Sequence, residues 1–339
     1  MPPRLASNPV VWTLATDLGL KPTDNPLEVI VRFARQRIQS FLKEIPCNTL
    51  TDLLSLAAAR VDTLFVEINT DEELQVVRER YTAEGELAFA DLERQLGPDV
   101  FAITFKRQAP GLFDRKFTSV IDCRGEKRAR RYFSKWHEIA HLLTLTSQQR
   151  LKFCRSHVPA EIKDPEEAVM DVIAGELGFF DEIVRRHVKP PVSFSTLAEL
   201  RERLCPEASI QASVLGFVRG WPEPCLYIEA ELALKKRDLQ LECQTSFGFH
   251  GEPVRALRAV RVTPNDLARR SNMFIPTNMR IPERSIIARV LSENLIHLEA
   301  DEDLSWWESS DGKRLPERPV FVVAKRVGLG AQAFITPIR

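Results

Sequence analysis

The run Trp136-His137-Glu138-Ile139-Ala140-His141-Leu142-Leu143 restricts what this chain can fold into more than any other stretch. Residues four apart share one helical face, so the spacing predicts a helix carrying both histidines on the same side. The other five residues are uncharged, and such a helix belongs in an interior. Two imidazoles and a carboxylate placed there are costly unless each finds a partner. A second polar element must therefore come onto that face.

The pattern H-E-x-x-H has a direct chemical reading. His137 and His141 can present two neutral imidazoles to one Zn²⁺, and Glu138 can act on a water held by the ion. The plainer reading is a pair of core histidines satisfied by hydrogen bonds. A catalytic zinc needs a third protein ligand. The metzincin arrangement is excluded, because Thr144 and Ser147 stand where it requires glycine and histidine. A carboxylate from a following helix is the alternative. Glu167-Ala168-Val169-Met170-Asp171 offers one 26 residues after His141, with small Ala174 and Gly178 on the same face. Asp171 sits in an apolar run, and a metal-bound histidine N–H is a suitable partner for it. Asp164-Pro165-Glu166-Glu167 also reads as a helix start, in which Glu167 serves as a cap; Glu166 and His157 are the other candidate ligands.

Composition sets the frame. The 339 residues are 44% hydrophobic and 28% charged, enough for two or three packed domains. No apolar run is long enough to span a membrane, and the first thirty residues lack a signal-peptide pattern, so a cytoplasmic protein is expected. Six scattered cysteines with no C-x-x-C pair argue against a zinc ribbon and for reduced thiols. The 47 basic and 47 acidic residues cancel, but unevenly: 252–289 holds eight arginines against three acids, and 291–311 holds seven acids and no Lys or Arg.

Periodicity predicts helices over 24–43, 50–59, 71–96, 127–146 and 164–178, with strands over 61–68, 101–105 and 117–121. Two short helices are expected over 195–204 and 210–219. Strands follow over 225–234, 239–249, 255–262, 286–291, 319–327 and 333–338. The expected class is α+β. The expected division is a peptidase domain at 1–190, a helical connector at 191–222 and a mostly-β domain at 223–339.

W-H-E-I-A-H-L-L followed by E-E-A-V-M-D-V-I-A-G-E-L resembles the ImmA/IrrE family of metallo-endopeptidases, over roughly residues 60–180. The strand 119–123 and Arg130-Arg131-Tyr132-Phe133 fit the family's run-in. Met170, Asp171 and Gly178-Phe179-Phe180 depart from it around the second helix. The resemblance implies a gluzincin-like fold with one Zn²⁺ per chain held by His137, His141 and Glu167, Glu138 as the catalytic base, and Asp171 behind the metal ligands. It further implies cleavage of a partner helix-turn-helix repressor to induce a stress or anti-phage operon. A C-terminal sensor domain, GAF-like in some members, would respond to a DNA-damage signal such as single-stranded DNA. The competing reading is a non-catalytic DNA-binding or ligand-sensing regulator with a structural metal.

Three further expectations follow. Cys123, beside the cleft in such a fold, is a candidate latency ligand for the zinc; the ordinary reading is a buried thiol. Tyr132 and His157 are candidates for stabilising the oxyanion. Arg255, Arg258, Arg261, Arg269, Arg270, Arg280 and Arg284, with Arg289, could line a phosphate groove in which Phe274, Trp306 and Trp307 stack bases; pairing with the acidic 291–311 strip is the alternative.

Overall fold

The computed structural model describes residues 3–21, 25–108, 110–145, 152–156, 164–235, 255–309 and 311–338. The chain is mixed helix and sheet, as the α+β expectation has it. It divides into two compact units, Met1–Ile183 with Leu200–Gly216 and Val184–Glu199 with Phe217–Arg339, so the segment 191–222 contributes to both.

The first unit begins with helices α1 (Pro3–Ala6), α2 (Pro9–Asp17), α3 (Pro26–Glu44) and α4 (Leu50–Arg60). Asn8, Asn25 and Thr49 cap the last three by accepting from backbone N–H groups that a helix start leaves open. Strand β1 (Thr63–Ile68) and helix α5 (Asp71–Ala83) follow. The single helix expected over 71–96 is broken after Ala83. Gly85 takes a φ of 87°, and the Glu86 carboxylate turns inward to accept from Arg107 and from the Gln108 N–H. A 3-10 turn and the short α6 (Leu92–Gln95) complete that stretch before β2 (Val100–Lys106) and β3 (Phe117–Asp122). A 3-10 turn over Gly125–Arg130 then runs directly into α7 (Arg131–Leu143), which is followed by β4 (Lys152–Ser156) and α8 (Pro165–Gly178). Sequence periodicity did not reveal β4.

The four strands lie in the order β1-β3-β2-β4; β1 runs parallel to β3, and the other pairs are antiparallel. Side chains alternate across this sheet. One face packs Ile68, Ile103, Phe105 and Val120 on Leu74, Tyr81, Phe89, Leu92 and Leu96. The opposite face carries Phe65, Ala102, Ile121 and Cys123, and α7 packs against this sheet and α8.

In the second unit a five-stranded antiparallel sheet has the order β6-β5-β9-β8-β7, from β5 (Leu226–Ala233), β6 (Ala256–Pro264), β7 (His297–Asp303), β8 (Pro319–Val327) and β9 (Gly330–Pro337). The helix Ile286–Ser292 packs on β7, β8 and β9. A strand was expected at 286–291, and the local context overrides its β-branched composition. Ser285 caps the N-terminus, Glu302 accepts from the Ile286 N–H, and Ile286, Ile287 and Val290 fall on one buried helical face. Strand β7 was masked in the sequence by its acids. They stand on an edge strand, where charge discourages pairing with other chains. The strand expected over 239–249 lies outside the described residues. Among the described residues, no helix is long and apolar enough to cross a membrane.

Candidate metal centre

Helix α7 is buried at every position from Ser134 to Leu143. Its ends are anchored by specific polar contacts. Lys135 forms ion pairs with Glu67 at 2.6 Å and Glu207 at 2.7 Å, and the Leu143 carbonyl accepts from Arg37 at 2.9 Å. Helix α8 starts at Asp164, whose side chain accepts from the Glu166 N–H, with Pro165 in its first turn. The two helices approach closely because Gly178 is small: a Cβ there would lie 3.1 Å from the Trp136 ring. Tyr132 closes the same contact by donating its hydroxyl to the Gly178 carbonyl at 2.6 Å.

This packing brings His137, His141 and Glu167 together, with one ligand atom from each inside a 4.8 Å sphere of mutual distances. His137 Nε2 lies 3.0 Å from Glu167 Oε2, and His141 Nε2 lies 3.2 Å from Glu167 Oε1. The two Nε2 atoms are 3.1 Å apart. On the far side of its ring, His137 Nδ1 is 2.8 Å from Asp171 Oδ1. An ionised carboxylate only accepts, so Nδ1 carries the proton and a neutral His137 turns a lone pair toward Glu167 and His141. Lone pairs converging at these distances repel one another unless a proton or a cation sits among them. Tetrahedral Zn²⁺, at about 2.0–2.1 Å from each nitrogen, would separate its ligands by roughly 3.3 Å. The donor set and its spacing therefore fit zinc.

Burial by itself would raise the Glu167 carboxyl, but its close contacts with His137 and His141 outweigh that and hold the group at about 2. Glu167 thus stands as an anion facing the imidazoles, and it is Glu167 rather than Glu166 that enters the group. Burial raises the Glu166 carboxyl. His157 lies outside the described residues.

Glu138, fully buried, accepts at Oε2 from the Thr104 hydroxyl at 2.7 Å. Thr104 Oγ1 is 2.6 Å from Ser119 Oγ, which is 2.9 Å from Thr63 Oγ1. These hydroxyls escaped the sequence reading. The available signal was strand parity, which puts Thr104 on the face opposite Ile103 and Phe105.

Cys123 is placed differently from the latency expectation. It is not in the ligand group; its thiol donates to Glu67 Oε2 across 3.8 Å. Burial, reinforced by Glu67, pushes the thiol up to about 12, away from the thiolate that binds zinc. Tyr132, one candidate for the oxyanion, is buried with its hydroxyl committed to Gly178.

Five of the seven arginines have a partner nearby. Arg258 is buried and donates to the Ala233 and Asn278 carbonyls. Arg261, Arg269 and Arg280 pair with Glu229, Asp266 and Glu283, and Arg284 stacks on Trp306 at 4.2 Å. Arg289 pairs with Glu293 of the acidic strip. Arg255 and Arg270 form no ion pair among the described residues. Trp307 is a core residue, whereas Phe274 is exposed.

In the basic stretch before α7 Arg128 is exposed, whereas its neighbours have partners. Arg124 and Lys127 hold the buried Asp122, and Arg130 lies 4.7 Å from the Phe101 ring centre. Searched against family models and against curated proteins, the chain has no match.

Proposed function

We propose that this chain is a zinc-dependent endopeptidase of the ImmA/IrrE type that cleaves a helix-turn-helix repressor in the cytoplasm and so induces a stress or anti-phage operon. The observation that carries the reading is the convergence of His137, His141 and Glu167 on one point, with Glu138 in the same helix.

The two imidazole Nε2 atoms and the Glu167 carboxylate would hold the ion, and Asp171 keeps His137 in the tautomer that ligation needs. Bound zinc supplies a Lewis acid and brings the pKa of water toward about 7. Glu138 takes the proton of the attacking water on its carboxylate and delivers it to the leaving amine nitrogen.

The second unit would be the sensor. A five-stranded antiparallel sheet with a helix on one face supports a GAF-like reading. Single-stranded DNA from damage is the signal the family resemblance suggests; the paired arginines lend it no support, and Arg255, Arg270 and Arg284 would have to make such a contact.

The test is Glu138→Gln, assayed with a helix-turn-helix repressor encoded beside this chain. Cleavage by the native protein, abolished in the variant with zinc retained, is the expected result. Zinc retained in both with no cleavage by either would favour the regulator with a structural metal.

A further inference from the structure

The sheet face that carries the Phe65, Ala102, Ile121 and Cys123 cluster also carries a row of hydroxyls. Thr63, Ser119 and Thr104 come from three adjacent strands, and none is more than 4% exposed. Polar groups in such a place are costly unless every one is hydrogen-bonded. The strand register supplies the bonds. Thr104 stands directly opposite Ser119 in the antiparallel β2–β3 pair. Ser119 stands opposite Phe65 in the parallel β1–β3 pair, two residues from Thr63. The row ends at Glu138.

Its direction is fixed by the acceptor at that end. As the base of the proposed mechanism Glu138 is ionised and has no hydrogen to give, so Thr104 donates to its Oε2. The Thr104 oxygen then accepts from Ser119, and the Ser119 oxygen accepts from Thr63. All three O–H groups point the same way, and each bond polarises the next.

We propose that Thr104 is a positioning residue for Glu138, holding its carboxylate in a single orientation, with Ser119 and Thr63 aligning the Thr104 hydroxyl from behind. The inference rests on the metallopeptidase reading, because it assigns the row to the proton-carrying group of that site. A row that merely satisfied its own polar atoms would leave the chemistry of Glu138 unchanged when shortened.

The test needs no natural substrate. Full-length native protein, Thr104→Val, Thr104→Ser, Ser119→Ala and Glu138→Gln are loaded with Co²⁺ and titrated with acetohydroxamic acid, followed by the visible cobalt bands. This probe chelates the metal through two oxygens and passes its acidic proton to a neighbouring carboxylate, so its affinity reports where Glu138 sits. Cobalt uptake is expected to be equal in all five. Glu138→Gln and Thr104→Val should each weaken the probe by about tenfold, the scale of one hydrogen bond to a charged group. Thr104→Ser should stay within about twofold of native, and Ser119→Ala should show a smaller loss in the same direction. Ser119→Ala also serves if Thr104→Val does not fold. Native-like affinity in Thr104→Val and Ser119→Ala beside a weakened Glu138→Gln would overturn the proposal. So would a loss in Thr104→Val with none in Glu138→Gln. Failure of the native protein to take up cobalt would instead overturn the metal centre, and this inference with it.

Discussion

His137 Nδ1 and Asp171 Oδ1 lie 2.8 Å apart, one turn of α8 beyond Glu167, so the same helix that offers a carboxylate to the imidazole pair also sets the orientation of one of its rings. Zinc content should register both contributions. Native protein is expected to hold about one zinc per chain, and Glu167→Ala to lose it. Asp171→Ala should still bind zinc, with affinity lowered by about 10–100-fold in competition with a chelator. Unchanged affinity in Asp171→Ala would show that the ring is held by packing alone.

Cys123 should be inert. Its buried thiol is pushed up to about 12 and faces Glu67. Alkylation by iodoacetamide in the folded protein at pH 8 is expected to be far slower than for a free cysteine, and Cys123→Ala should leave zinc content unaltered. Rapid labelling, or a change in metal content, would return Cys123 to the site.

Asp122 links acid stability to the loop before α7. Burial would raise its carboxyl, but hydrogen bonds from Arg124 and Lys127 outweigh that and hold it below the usual carboxylate range. A depressed folded-state pKa contributes stability that is present in full above the unfolded value of about 3.9 and is lost as pH falls through the folded value. Asp122→Asn should therefore cost about 3 kcal/mol at pH 7, with the gap to native narrowing below about pH 4. Urea midpoints at pH 7 and pH 3 measure this; a gap that stays constant would rule out the ionic origin.

Gly216 is a packing constraint. A Cβ there would come within 2.1 Å of the Phe179 ring, which is buried and stands edge-on to Tyr132 at 5.8 Å. The ring cannot yield without disturbing the contact below α8. Gly216→Ala is expected to destabilise the protein by about 1–3 kcal/mol, visible as a lower thermal midpoint. A midpoint equal to native would mean that the ring has room to move.

The sequence by itself determined what depends on spacing along the chain. The four-residue interval placed His137 and His141 on one helical face, and the Asp164-Pro165 start fixed where α8 begins. Alternation and helical period identified most of the elements, because both follow from backbone geometry within a few residues. Only the tertiary structure decided between Glu167 and Glu166, which differ by about 100° around the same helix; the approach of α7 at Gly178 makes the choice. Tertiary contacts also turned Cys123 toward Glu67 and gave Arg261 a carboxylate partner in Glu229 on the neighbouring strand. At 286–291 they supplied a carboxylate sixteen residues away that supports the start of a helix. The hydroxyl row was hidden for the same reason. Thr63, Thr104 and Ser119 are far apart in sequence, and strand register, set by the packing of the whole sheet face, brings them into line.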